Sequence, residues 1–183
     1  WVNGTKASLS WLDSEKIEKE GTGVLESFAG IVVPGGFGAR GTEGMAAAVE
    51  FARTRKVPYL GLCYGMQMAA VEFARHVLKH PDANSTEIDD KTTYRVIQIM
   101  PDQEKKLLQK DYGGTMRLGG WLAQIKNGTL AERCYLTKAD KDYYYINREN
   151  SVLIVEERHR HRFEFNNKYL EEFEKNGFIA SGT

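Results

Sequence analysis

The sequence predicts an α/β protein: three layers, with a mostly parallel sheet between helices on both faces. Two observations carry this. Gly30-Ile31-Val32-Val33-Pro34 and Pro58-Tyr59-Leu60-Gly61-Leu62 are short apolar runs without polar alternation, as expected of strands buried on both faces of a parallel sheet. Each runs into a glycine-rich turn and then a helical pattern, and strand–helix–strand–helix with short connections builds parallel sheets with right-handed crossovers. Ligands in such folds sit beyond the C-terminal strand ends. The turns at Gly35 and Cys63 both fall there and are expected to face each other.

In chain order, residues 7–12 read as a short strand. Asp13 or Ser14 can cap a helical turn through Glu20, which Gly21 and Gly23 end. After the first buried strand, Gly35-Gly36-Phe37-Gly38-Ala39-Arg40-Gly41 is too glycine-rich for regular structure. Thr42 can cap the next helix, in which Met45, Val49 and Ala52 recur at helical spacing to about Lys56. From Tyr64, Met66, Ala70, Phe73, Ala74 and Val77 mark one helix face, and Pro81 lies past its end. Tyr94–Ile99 reads as a strand, Pro101–Asp111 as a charged helix or loop, and Asp111–Gly120 as a glycine-rich loop. Leu130–Leu136 suits a short helix, and Lys138–Asn150, rich in charge and tyrosine, a surface insertion. Arg158-His159-Arg160-His161-Arg162 leads into a strand at Phe163–Phe165. Asn167 can cap a helix through Lys175, stopped by Gly177, and Phe178–Thr183 looks like a strand entering a loop. No internal repeat or domain linker interrupts the 183 residues.

Composition excludes some functions. Lys plus Arg equals Asp plus Glu at 25 each, so no net field draws the chain to nucleic acid or an anionic membrane. No apolar run approaches the roughly 20 residues of a membrane span. The opening residues lack the apolar core of a signal peptide. With only two cysteines, Cys63 and Cys134, a reduced cytoplasmic setting is expected.

The chemistry centres on Gly61-Leu62-Cys63-Tyr64-Gly65-Met66-Gln67. A thiol at a strand-to-helix corner lies near unpaired N–H groups and the positive end of the helix dipole, which favour the nucleophilic thiolate. Flanking glycines permit strained backbone and close approach of a substrate. A buried structural cysteine fits the corner equally well when it is taken alone. Gly36, Gly38 and Gly41 can be forced onto a dinucleotide-binding pattern, but Pro34 and the paired glycines spoil its context, and no acidic residue follows at the required distance. Backbone N–H groups aimed at a developing oxyanion suit Gly35-Gly36-Phe37-Gly38 better; a plain tight turn suits it too. If Arg158–Arg162 is extended, His159 and His161 share one face and three arginines the other. Arginines suit a carboxylate or phosphate. No ligand spacing supports a metal at the histidines, and none is expected. His76 and His80 lie at the far end of the Cys63 helix, poorly placed as a general base. Cys134 reads as structural.

Together these stretches resemble the class I glutamine amidotransferases. Gly61–Gln67 matches their G-x-C-x-G-x-Q nucleophile elbow, and Pro34–Gly38 their oxyanion loop. Gly35–Gly44, Asp82-Ala83-Asn84-Ser85-Thr86-Glu87, Gly113–Gly119 and Glu157–Arg162 narrow the resemblance to the glutaminase domain of the CTP synthases, over most of the chain. Lys138–Asn150 departs from it.

The resemblance implies a flavodoxin-like fold that hydrolyses L-glutamine to glutamate and ammonia. The ammonia passes to a synthase domain that aminates ATP-activated UTP to CTP. It makes Cys63 the nucleophile and the N–H groups of Gly36 and Tyr64 the oxyanion donors. Substrate contacts fall on Gly36, Tyr64, Gly65, Met66, Gln67, Glu87 and Arg162, with Gln67 and Glu87 at the α-amino end and Arg162 on the α-carboxylate. Arg117, in a lid linked to allosteric GTP, is a coupling candidate. The domain itself implies no cofactor; ATP, magnesium and GTP belong to the complete enzyme, which the resemblance makes a homotetramer assembled through its synthase domains. The family's His-Pro-Glu base motif is not found here, nor are its first strand and helix or the synthase domain. The expectation is thus of one partial domain over 1–183, incomplete at both ends, with negligible turnover of its own. Two other readings compete: a cysteine hydrolase acting on γ-glutamyl peptides, and a non-catalytic regulatory module that keeps the elbow.

Overall fold

The computed structural model describes residues 4–99, 117–137, 146–149 and 152–183. Its elements are α1 (Ser14–Glu20), β1 (Ile31–Val33), α2 (Thr42–Arg55), β2 (Tyr59–Gly61), α3 (Tyr64–His76), β3 (Asn84–Ser85), β4 (Arg95–Ile99), β5 (Arg117–Ile125), α4 (Leu130–Thr137), β6 (Ile146–Glu149), β7 (Val152–His161), β8 (Phe163–Phe165) and α5 (Leu170–Lys175). The α/β class holds. β1 and β2 pair in parallel, Val32 opposite Leu60. β3 and β4 are also parallel, and β8 joins β4 antiparallel. The described strands thus form three small sheets, the third a fully antiparallel ribbon in the order β5-β7-β6.

The main core lies under α3. Tyr64, Met68, Ala70, Val71, Phe73 and Ala74 on α3 pack with Val96 and Ile97 of β4 and Phe173 of α5. A smaller cluster joins Ile17, Leu25, Ala48 and Phe51 between α1 and α2. Helices α2 and α3 are pinned by a bidentate ion pair from Arg53 to the fully buried Glu72, with Arg53 Nη2 2.6 Å from Oε1. His76 Nδ1 lies 3.2 Å from the same carboxylate. At the far end of α3, His80 stacks on Tyr94 and Tyr94 on Tyr169, while Glu172 accepts from the Tyr94 hydroxyl at 2.6 Å. Among the described residues, no helix is long and apolar enough to cross a membrane.

Several sequence expectations need correction. Residues 7–12 form no strand and are exposed. β1 and β2 are not covered on both faces: Val32 is 58% and Leu60 54% exposed, because the helices packed on this pair leave one face open. Met66 points outward from α3, and the buried face runs instead through Tyr64, Gln67 and Met68. Helix α2 starts after a left-handed Gly41, while the Thr42 hydroxyl donates back to the Ala39 carbonyl rather than forward to the helix. Asn166, not Asn167, caps the last helical segment by accepting from Lys168 N–H. Arg117–Gly120 is strand, paired with Arg158–His161. Phe178–Ala180 is irregular, and the chain then pairs with β5 through Gly182 opposite Ile125. Ile146–Glu149, read as part of an insertion, forms the third ribbon strand against β7. The regions 100–116 and 138–145, holding the charged segment at 101–111, the loop at 111–116 and most of that insertion, lie outside the described residues.

Candidate active site

The corner at Cys63 is built by two glycines that touch. A β-carbon on Gly61 would lie 2.6 Å from the carbonyl carbon of Gly65, and one on Gly65 would lie 2.1 Å from the Val33 carbonyl oxygen. Real side chains cannot occupy either place, so the elbow closes only with glycine at both. This lets α3 start directly against β1 and leaves Cys63 outside at the turn. Cys63 has φ 52 and ψ −101, a conformation that costs a non-glycine residue strain. Its thiol is free and exposed, at the N-terminus of a thirteen-residue helix.

The two glycine-rich turns face each other as expected. A β-carbon on Gly35 would stand 3.6 Å from Cys63 Cβ, and one on Gly36 3.5 Å from Tyr64 Cδ1. The loop is tied down further on, where Gly38 N–H donates to Glu87 Oε1 at 3.0 Å and the Gly38 carbonyl accepts from the Tyr64 hydroxyl. Glu87 thereby joins the third sequence motif to the first two. It follows β3, where Thr86 N–H bonds the Ile97 carbonyl.

Gln67 sits one turn into α3, buried, and donates through Nε2 to the Phe163 carbonyl at 2.8 Å. That bond carries the nucleophile helix onto the strand after Arg162. Arg162 occupies the bend between β7 and β8. Gln67 Oε1, Arg162 Nε and Thr86 Oγ1 are buried and bond to nothing among the described residues. Buried polar atoms without partners are costly, and each is a group that a polar ligand can satisfy. Gln67 and Arg162 are among the residues expected from the sequence at the site; Thr86, which lies inside the Asp82–Glu87 motif, is not singled out there.

The remaining residues divide. Met66 is partly exposed beside the corner. Arg117 lies on the ribbon, its Nε 3.2 Å from Glu164 and its guanidinium 4.6 Å over the Trp121 ring. His161 Nε2 is 2.5 Å from the same Glu164. Burial pushes the Glu164 carboxyl up, but His161 and Arg117 outweigh it and hold it below its ordinary value. Burial, with His161 beside it, lowers His159. Of the basic run, Arg158 and Arg160 are exposed while both histidines are half-buried, so the alternation holds through β7 and ends at Arg162.

A glutamine amidotransferase class-I family model matches residues 2–183. The chain belongs to the class I glutamine amidotransferases. Among curated amidotransferases, it is 47% identical over 177 residues to CTP synthase of Pyrococcus horikoshii, covering 97% of this chain and 30% of that protein. It is also 47% identical over 176 residues to CTP synthase of Listeria monocytogenes, covering 96% and 30%. The chain thus spans about 30% of the length of these relatives. Among solved structures it is similar to the glutaminase domain of Trypanosoma brucei CTP synthase with bound acivicin. The TM-score is 0.83 at 33% identity, covering 99% of this chain and 63% of that one. The class I amidotransferase fold read from the elbow and loop motifs is therefore the fold of this chain.

Proposed function

We propose that this chain is the glutaminase part of a CTP synthase and hydrolyses L-glutamine with Cys63 as nucleophile. The observation that carries the reading is the pair of buried, unfilled polar atoms on Gln67, one turn along the helix that the exposed Cys63 begins, and on Arg162, whose neighbour Phe163 accepts from the Gln67 side chain. Arg162 offers a guanidinium to the α-carboxylate, and Gln67 with Glu87 offers acceptors to the α-amino group. The Cys63 thiolate adds to the side-chain amide carbon, and the carbonyl electron pair moves to oxygen. The N–H groups of Gly36 and Tyr64 receive that oxyanion; losing one such donor costs on the order of 3 kcal/mol of transition-state binding. Ammonia then leaves, water releases glutamate, and the ammonia is used by the synthase domain to aminate UTP at the expense of ATP, in a cytoplasmic homotetramer.

The general base is proposed to come from outside Trp1–Thr183. His76 ends the thirteen-residue helix that Cys63 begins and His80 lies beyond it, a helix length from the thiol; His161 is paired with Glu164 on the ribbon. Negligible glutamate release by the isolated chain is expected, and release at the rate of a complete enzyme would return the base to His159 or His161. No residue here is assigned to ATP or magnesium; the coupling to GTP is proposed to run through Arg117, which Glu164 and Trp121 hold. The test of the nucleophile is covalent labelling by a glutamine-mimicking electrophile such as acivicin, read by mass spectrometry. One adduct on Cys63 is expected and none in Cys63→Ala; unchanged labelling of that variant would remove Cys63 from the mechanism.

A further inference from the structure

Gly38 is held at both of its peptide groups. Its N–H donates to Glu87, and its carbonyl accepts from the Tyr64 hydroxyl. The stretch from Gly35 to Gly38 has no regular secondary structure, so these bonds restrain a segment that its backbone alone would leave loose. Gly38 has φ +78, and a glycine there takes this conformation without strain. The same Tyr64 ring lies against Gly36, within van der Waals reach of any β-carbon placed there. Tyr64 is buried at the start of α3, one residue after Cys63. Burial, with the charge of Glu87 beside it, pushes its phenol up to about 12, so the hydroxyl keeps its proton and donates throughout the neutral range.

We infer that the Tyr64 side chain is a positioning residue for the oxyanion loop. Its ring supports Gly36 and its hydroxyl, opposite Glu87, fixes Gly38, so the loop is already set when negative charge develops on the substrate oxygen. This rests on the reading that Cys63 attacks glutamine, and it gives the side chain a task separate from that of the Tyr64 N–H. Donors fixed in advance stabilise a transition state more than donors that must reorganise. A loosened loop therefore weakens the tetrahedral state and leaves substrate capture by Gln67 and Arg162 intact.

The test compares Tyr64→Phe with wild type in the complete native polypeptide. Phenylalanine keeps the ring against Gly36 and deletes only the hydroxyl. Expected is a loss of kcat for glutamate release of about tenfold with KM changed less than about twofold, as for an interaction made in the transition state. A second readout uses the γ-aldehyde analogue of glutamine. The Cys63 thiol adds to its carbonyl, forming a C–S bond and passing its proton to oxygen, which leaves a tetrahedral adduct under the loop. Its affinity should fall about tenfold while that of L-glutamate stays level, as binding specific to the transition state predicts. Unchanged kcat, or aldehyde and glutamate weakening together, would overturn the positioning role. Tyr64→Leu, which loses ring and hydroxyl, should lose more activity than Tyr64→Phe; equal activity would also overturn it. Cys63→Ala separates the two ideas: glutamate release by that variant would remove Cys63 as the nucleophile, whatever Tyr64→Phe does.

Discussion

The elbow half of the molecule and the antiparallel ribbon are held in different ways. Around the elbow, β1, β2 and α3 meet where backbone touches backbone, and ten buried residues form the core beneath. In the ribbon, β5, β6 and β7 are joined by long ladders, and among the residues whose burial is described Ile125, Leu153 and Val155 are buried together. Packing fixes the first region and hydrogen-bond register the second. The consequence is a division of labour: the packed half fixes the thiol and its facing loop, and Arg162 follows directly on the ribbon strand β7.

The comparison is tested most severely with alanine at two glycines. Gly65→Ala drives a methyl group into the Val33 carbonyl and should cost about 3 kcal/mol in urea unfolding, the upper end for overpacking. Gly119→Ala on the ribbon meets nothing within 4 Å and pays only for φ +89, about 1 kcal/mol. Similar costs would mean that the halves are held alike.

Leu153→Ala should cost about 2 kcal/mol through the lost burial and the small cavity left behind. Hydrogen exchange should quicken in β5–β7 while the protected amides of α3 stay slow, since weakly packed regions open on their own. Equal quickening in α3 would show that the ribbon unfolds only with the rest.

The smallest effect concerns acid. Tyr94 first, then His80, holds the Glu172 carboxyl below its ordinary value. A carboxyl lowered on folding adds stability above its unfolded value and loses it as pH falls through the folded one. Glu172→Gln should therefore lower stability slightly near neutrality, by less than about 1 kcal/mol because the side chain is well exposed. The gap to wild type should close in acid, below the ordinary carboxylate range. A gap that persists there would assign the effect to lost geometry rather than charge.

The sequence was most readable where spacing is dictated by contact. Gly61, Cys63 and Gly65 announced the elbow because no other residue type fits the places the glycines hold. Tyr94–Ile99 and Leu130–Leu136 came within a residue of their observed bounds because their apolar patterns match one period. The ribbon was less readable. Gly119 and Gly120 argue for a loop on composition, yet they lie in a ladder opposite His159 and Arg158, far along the chain, and local pattern carries no record of such pairing. The open face of β1 and β2 misled for a related reason, since apolar runs state what a strand could bury and not what covers it. Thr86 passed unnoticed because a hydroxyl in a polar stretch is ordinary until burial leaves it alone.

Cys63 carries a left-handed φ at a corner where glycine would be at ease. Relieving that conformation is worth on the order of 1–3 kcal/mol, so Cys63→Gly should make a hardier protein with no thiol. Any breeding scheme that rewards heat resistance alone would drift toward that change.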